Sequence, residues 1–356
     1  MFKTLLLLGS LSLILRTTHA DDPKTPNCFK LKNDTCPNSN ITFWLYTKEE
    51  PLGRKLNELG YQGDSFDISK EVKVLLHGYN GSSESTPNAE VRPELLKFHN
   101  LNVISVDYGN LMREPCYAES VANLHYVGRC VAEFLGNLLY NRHVLPQKLH
   151  IIGFDIGAHL AASVSNFLRY FNLRIGRITG LDPAKPIFLK SKWSDRLHAI
   201  SADFVDVIHT DVFLYGLMLP MGHADFYPNL GIVQPGCGPI SETISHKCNH
   251  QRAAIYYAES ISSKTNFWSF RCGRLYNIIV GQCRPLNDFA LLGYHASPRV
   301  RGSYFLGTNG TAPYALGSKF APLIYRSLGK AFLSDFLIAK FLELGNDIKV
   351  HRLTIG

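Results

Sequence analysis

Gly153-Phe154-Asp155-Ile156-Gly157 closes an apolar run at 148–152 and opens a helix-compatible run from Ala158 to Tyr170. A sharp strand-to-helix turn of this kind lifts its middle residue to the edge of a sheet, where a side chain can act as a nucleophile. Gly153 and Gly157 suit the turn because they carry no side chain to clash where strand and helix approach closely. The raised residue is Asp155. His77-Gly78-Tyr79 follows the apolar run 72–76, Asp182 ends the run 175–181, and His250 follows Cys248 at the head of a helix-compatible run, 250–262. Nucleophile position, acid and histidine stand in the chain order that acyl-transfer sites use, with Ile156, next after Asp155, placed to offer one oxyanion-hole N–H.

The chemistry of Asp155 departs from that scheme. A carboxylate is a poor acyl nucleophile, because its product is a mixed anhydride. If Asp155 and Asp182 flank His250, they favour imidazolium and remove the general base that ester hydrolysis needs. One Asp155 oxygen lying in the oxyanion hole would imitate the charged intermediate. A carboxylate can instead attack an alkyl carbon, with His250 and Asp182 activating the second-step water; no clear halide- or epoxide-activating pair stands out, although Tyr215 and Tyr227 leave that reaction open.

These residues need a scaffold. Residues 41–46, 72–76, 102–106, 148–152, 175–181 and 204–208 are short runs rich in β-branched residues and read as strands. Val121, Leu124, Val131, Leu135 and Leu138 recur at helical spacing, and 157–171 and 250–262 are helix-compatible. The alternation predicts an α/β domain with a mainly parallel sheet, and the order of turn residue, acid and histidine is that of the α/β-hydrolase fold, with helices on both faces. No repeat, low-complexity tract or Pro/Ser-rich linker interrupts 41–317, so 21–317 is expected to be one domain. Residues 1–20 have the layout of a cleavable signal peptide. Residues 318–356 form a tail expected to be helical, and packing on its own domain is favoured over a membrane surface.

Secretion gives meaning to the eight cysteines, whose even number suits disulfides; the absence of any C-x-x-C pair argues against a metal site. Sequential pairing, Cys28–Cys36, Cys116–Cys130, Cys237–Cys248 and Cys272–Cys283, is the simplest of the 105 arrangements. Asn33, Asn40, Asn80 and Asn309 lie in glycosylation sequons. With 46% hydrophobic and 19% charged residues, the 356-residue chain does not have the composition of a disordered protein. Its net charge of +8, or +6 without Lys3 and Arg16, comes with no basic run of the kind that binds nucleic acid. No cofactor is expected.

The segments VLLHGYNGS, VISVDYG, GFDIGAHLA, ITGLDPAKPIF, VIHTD, GHADFYPNLGIVQPGC, CNHQRA and RGSYFLGTNGTAPYALG together resemble the animal lipases related to pancreatic lipase, including the insect phospholipase A1-like branch. The resemblance implies that Asp182 is a triad acid, His250 the base, and Tyr79 and Ile156 the oxyanion donors. It also supports a Cys237–Cys248 bond around a lid-like loop. In that family the positions of Phe154-Asp155 hold His-Ser, so Asp155 replaces the nucleophile. Ser82 and Ser163 lack the elbow context of a substitute.

That lid-like loop, GPISETISHK, has only ten residues, and the stretch from Asp211 to His223 is also short. Both traits imply the phospholipase A1-like members and a phospholipid-shaped ligand. The family's separate C-terminal β-sandwich is not expected. His159, His209, His223 and His246 read as structural or surface residues. The expectation is a secreted, extracellular protein that binds lipid or phospholipid, degenerate as a catalyst, with lipid-ester hydrolysis as the alternative.

Overall fold

The computed structural model describes residues 28–31, 35–57, 66–141, 143–272 and 288–318. The expected signal segment, Asn33, Cys283 and nearly all of the tail lie outside them. The described strands are β1 (Thr42–Tyr46), β2 (Arg54–Lys55), β3 (Val72–Leu76), β4 (Asn102–Asp107), β5 (Leu149–Phe154), β6 (Arg177–Leu181), β7 (Phe204–Ile208), β8 (Ala224–Pro228), β9 (Trp268–Arg271), β10 (Phe289–Leu291) and β11 (Gly302–Leu306). The α-helices are α1 (Asn88–Phe98), α2 (Tyr117–Asn141), α3 (Ile156–Tyr170) and α4 (Thr243–Ser262).

The strands form one sheet in the order β10-β9-β11-β8-β7-β6-β5-β3-β4-β1-β2. It is parallel from β11 through β8, β7, β6, β5 and β3 to β4, and antiparallel at both margins. Fully buried parallel strands carry near-continuous apolar runs, as Val72–Leu76 and Phe204–Ile208 do. Val72, Val74 and Leu76 pack with Leu124, Val131, Leu135, Leu160 and Val164 from α2 and α3. Leu75, on the alternate face, packs with Val91 and Leu95 of α1 and Tyr257 of α4. Helices therefore cover both faces of a mainly parallel sheet, which is the α/β-hydrolase fold.

The first two expected disulfides are wrong. Cys28 is bonded to Cys116 and Cys36 to Cys130. Cys116 stands at the start of α2 and Cys130 inside it; fourteen residues of helix separate them by about 21 Å, whereas bridged Cα atoms lie roughly 4.4–6.8 Å apart. The N-terminal segment instead runs beside α2, where Asn123 Oδ1 accepts the Leu31 N–H at 3.0 Å and its Nδ2 donates to the Phe29 carbonyl at 2.9 Å. Cys237 is bonded to Cys248. Cys272 is also in a disulfide, and its expected partner Cys283 lies outside the described residues. Among the described residues, no helix is long and apolar enough to cross a membrane.

Candidate functional site

Asp155 sits between the end of β5 and the start of α3 with φ 55° and ψ −123°. A non-glycine residue with positive φ is uncommon, and its neighbours hold it there. A Cβ on Gly157 would meet the His77 and Leu76 carbonyl oxygens at 2.5 and 2.6 Å, and one on Gly153 would meet the Gly157 oxygen at 2.3 Å. The two glycines thus let α3 press against the ends of β3 and β5.

Each carboxylate oxygen of Asp155 has a partner near by. Oδ2 accepts the Tyr79 N–H at 2.9 Å, and the carboxylate is also hydrogen-bonded to the Ile156 N–H. Oδ1 lies 3.4 Å from His250 Nε2. On the other side of the ring, His250 Nδ1 donates to Asp182 Oδ2 at 2.6 Å. Asp182, fully buried at the end of β6, accepts the Thr210 and Asp211 N–H groups at 2.7 and 3.2 Å. Asp155, Asp182, His250, Tyr79 and Ile156 therefore converge, drawn from the ends of three parallel strands and from α4.

The electrostatics follow from this geometry. Burial opposes a charge on His250, but Asp155 and Asp182 together outweigh it and push the imidazole up to about 10. Burial also opposes ionisation of Asp155, yet His250 and the Tyr79 and Ile156 N–H groups hold it below the usual carboxylate range. The histidine is a cation between two anions, so its Nε2 has no lone pair with which to take a proton. Phe154 and Tyr215 wall it in, with ring centroids 4.4 and 5.4 Å away.

His77 supports the loop that delivers Tyr79. Its Nδ1 donates to the Gly78 carbonyl at 2.8 Å, its Nε2 accepts the Tyr108 N–H at 3.2 Å, and burial lowers it to about 4. His159 donates to the Ala184 carbonyl, and His209 contacts the Leu217 carbonyl and Asp225. His223 accepts the Val205 N–H. Tyr227 donates to the Met218 carbonyl. The Ser82 hydroxyl pairs with Ser85, and the Ser163 hydroxyl lies against Gly128 of α2. Neither serine has a histidine partner.

Sequence reasoning missed a second pair. His246, one turn before His250 on α4, has Nδ1 2.6 Å from Asp211 Oδ1 and Nε2 2.8 Å from the Ile240 carbonyl. Burial and the nearby Asp182 push Asp211 up to about 6. The i, i+4 spacing of His246 and His250 was the available signal, since it puts both rings on one helix face. Half of the expected ten-residue loop is helix, because α4 begins at Thr243. Asn80 and Asn309 are exposed and Asn40 is partly so. Among the described residues, the cluster with metal-like spacing is Cys28, Cys116 and Glu119, and its two cysteines are bonded to each other.

The profile of the family described as Lipase matches residues 14–314. The chain belongs to the lipase family. Lipase member H-A of Xenopus laevis is 32% identical over 266 residues, which is 72% of this chain and 57% of that relative. Pancreatic triacylglycerol lipase of Oryctolagus cuniculus is 31% identical over 307 residues, 78% of this chain and 65% of its own length. The enzyme of the same name from Equus caballus is 30% identical over 340 residues, 86% and 72% of the two chains. This lipase-family chain thus spans about three fifths of the length of the first two relatives.

Proposed function

We propose that this lipase-family chain is a secreted lipid-binding protein whose hydrolytic site is disabled by its own Asp155. Asp155 stands at the nucleophile position, Asp182 at that of the acid and His250 at that of the base. The observation that carries this reading is the Asp155 carboxylate itself, which accepts the Tyr79 N–H at 2.9 Å and is hydrogen-bonded to the Ile156 N–H. Those two donors would otherwise hold the oxygen of a tetrahedral intermediate. A serine nucleophile needs a neighbouring base with a free lone pair, and a His250 pushed up to about 10 offers none at neutral pH.

The ligand class is a lipid or lipid ester presented at a membrane surface. The short stretch between Cys237 and Cys248 and the compact segment 211–223 support a phospholipid-shaped ligand and an affinity with the insect phospholipase A1-like branch. Disulfides among Cys28, Cys116, Cys36, Cys130, Cys237 and Cys248 fit an extracellular protein. Glycans on Asn40, Asn80 and Asn309 fit the same route, and one on Asn80 would stand beside Tyr79 and hinder entry.

The test is hydrolysis of p-nitrophenyl butyrate and of phosphatidylcholine vesicles by the wild type and by Asp155→Ser, with vesicle co-sedimentation measured in parallel. The expected result is background turnover by the wild type, at least 100-fold more by Asp155→Ser, and vesicle binding by both. Turnover by the wild type at the level of the serine variant, or no binding by either, overturns the reading.

A further inference from the structure

A second cavity lies outside this site. A groove of about 770 Å³ opens between α2, α3 and the loop 187–195, and none of Asp155, Asp182 and His250 lines it. The volume falls within the range of roughly 300–1,000 Å³ that holds small-molecule ligands. Its lining runs along α3 from His159 to Tyr170, about 16 Å of helix. A lining of that length suits a chain better than a compact ring system.

The two ends differ. At one end His159 and Phe188 are buried and their rings stack with centroids 3.8 Å apart. The ring nitrogens of His159 are already used, one donating to the Ala184 carbonyl at 2.9 Å and the other accepting the Leu197 N–H at 3.2 Å. The His159 ring at this end therefore has no unpaired nitrogen. Leu124, Phe167 and Ile187 continue the apolar walls.

At the other end stand Tyr170, 82% exposed, and Arg169, which makes no ion pair among the described residues. The loop adds exposed Lys190 and Lys192 on either side of Ser191, which lines the groove. The acid of the lining, Asp195, accepts the Ser194 hydroxyl at 3.1 Å.

Ile187 supplies an independent observation. It has φ 69° and is 48% exposed. A left-handed conformation costs an L-residue about 1–2 kcal/mol, and a β-branched residue there is a genuine outlier. That strained turn presents the Ile187 side chain to the groove.

We propose that this groove binds a single-chain anionic amphiphile, of which a long-chain fatty acid is the simplest. The hydrocarbon lies along Phe167, Ile187 and Phe188 toward His159, and the carboxylate meets Arg169 at the open end. The site is separate from the Asp155 site and stands whether or not that site hydrolyses anything.

The experiment uses the full chain, with palmitate displacing cis-parinaric acid and with 1-hexadecanol and hexadecyltrimethylammonium as comparisons. Palmitate is expected to bind at micromolar concentration and the ammonium amphiphile at least tenfold more weakly. Arg169→Glu weakens palmitate at least tenfold and leaves hexadecanol within twofold, while Ile187→Glu weakens both at least tenfold. A second readout needs no change to the groove. Brominated stearate should quench the emission of Trp193, which adjoins Ser194, and Trp193→Phe should remove that quenching, leaving Trp44 and Trp268 unaffected. Absence of palmitate binding, unchanged affinity in both groove variants, equal loss of hexadecanol in Arg169→Glu, or quenching that persists in Trp193→Phe overturns the proposal.

Discussion

The carboxylate of Asp155 accepts the backbone N–H of Tyr79 at 2.9 Å, so the protein's own side chain occupies that donor. The same carboxylate neutralises a buried His250 at 3.4 Å. Asp155→Ala would therefore orphan two N–H groups and unbalance a buried cation. A loss of about 2–4 kcal/mol is expected in urea denaturation at pH 7. An unchanged midpoint would show that the carboxylate does not hold the turn together.

The pH dependence has a definite sign. His250 is raised to about 10, so its stabilisation is complete below the unfolded value near 6.5 and is lost as pH rises toward 10. Asp155 is lowered, so its contribution is present above the unfolded value near 3.9 and disappears as pH falls through the folded one. Asp211, raised to about 6, adds a fall in stability as pH climbs from about 4 to 6. The advantage of the wild type over Asp155→Asn should be greatest between about pH 4 and 6.5 and shrink by pH 10. In NMR titration the His250 ring should titrate near 10 in the wild type and at least one unit lower in that variant; equal values would remove Asp155 from the account.

Gly157 offers a structural test of the elbow. A Cβ there meets two backbone carbonyl oxygens, at 2.5 and 2.6 Å, and backbone cannot move as a flexible side chain can. Gly157→Ala should cost more than about 2 kcal/mol in chemical denaturation or prevent folding. A variant as stable as the wild type would mean that α3 does not press on β3 as described.

The α/β alternation was legible because buried parallel strands carry near-continuous apolar runs: 72–76 and 204–208, each broken by one charged residue, Lys73 and Asp206, coincide with β3 and β7. β8 escaped notice because Asp225 and Pro228 break its pattern, and Asp225 is buried only by virtue of its bonds to His209 and to the Met221 and Gly222 N–H groups. α1 was hidden by Pro93 within it and by few apolar positions. Tyr79, Asp155, Ile156 and Asp182 could be named because each follows a strand, and strand ends bring distant segments together; His250 comes from within α4. The His246–Asp211 contact spans 35 residues and depends on how the 211–223 segment returns, which local pattern does not encode. Cysteine spacing misled for a related reason: proximity along the chain says nothing about which helix face a cysteine shares.

The cross-links can be read chemically. Peptide mapping without reduction should recover Cys28 with Cys116 and Cys36 with Cys130. These bonds close loops of 88 and 94 residues, for which chain entropy predicts about 4–5 kcal/mol each. Replacing Cys36 and Cys130 together by Ser should lower stability by up to that amount. Recovery of Cys28 with Cys36 would refute the pairing.

The separation of 88 residues between Cys28 and Cys116 also bears on the order of folding. During synthesis Cys28 meets Cys36 long before α2 exists, and by loop-closure scaling an eight-residue contact forms roughly 35 times more readily than one of 88. A disulfide closed by that contact is one the native protein must discard. Native pairing from such a species requires a thiolate to attack that early disulfide once α2 has formed, so oxidative refolding should be faster with added disulfide isomerase. A chain whose α2 forms slowly would linger with its N-terminal segment looped upon itself.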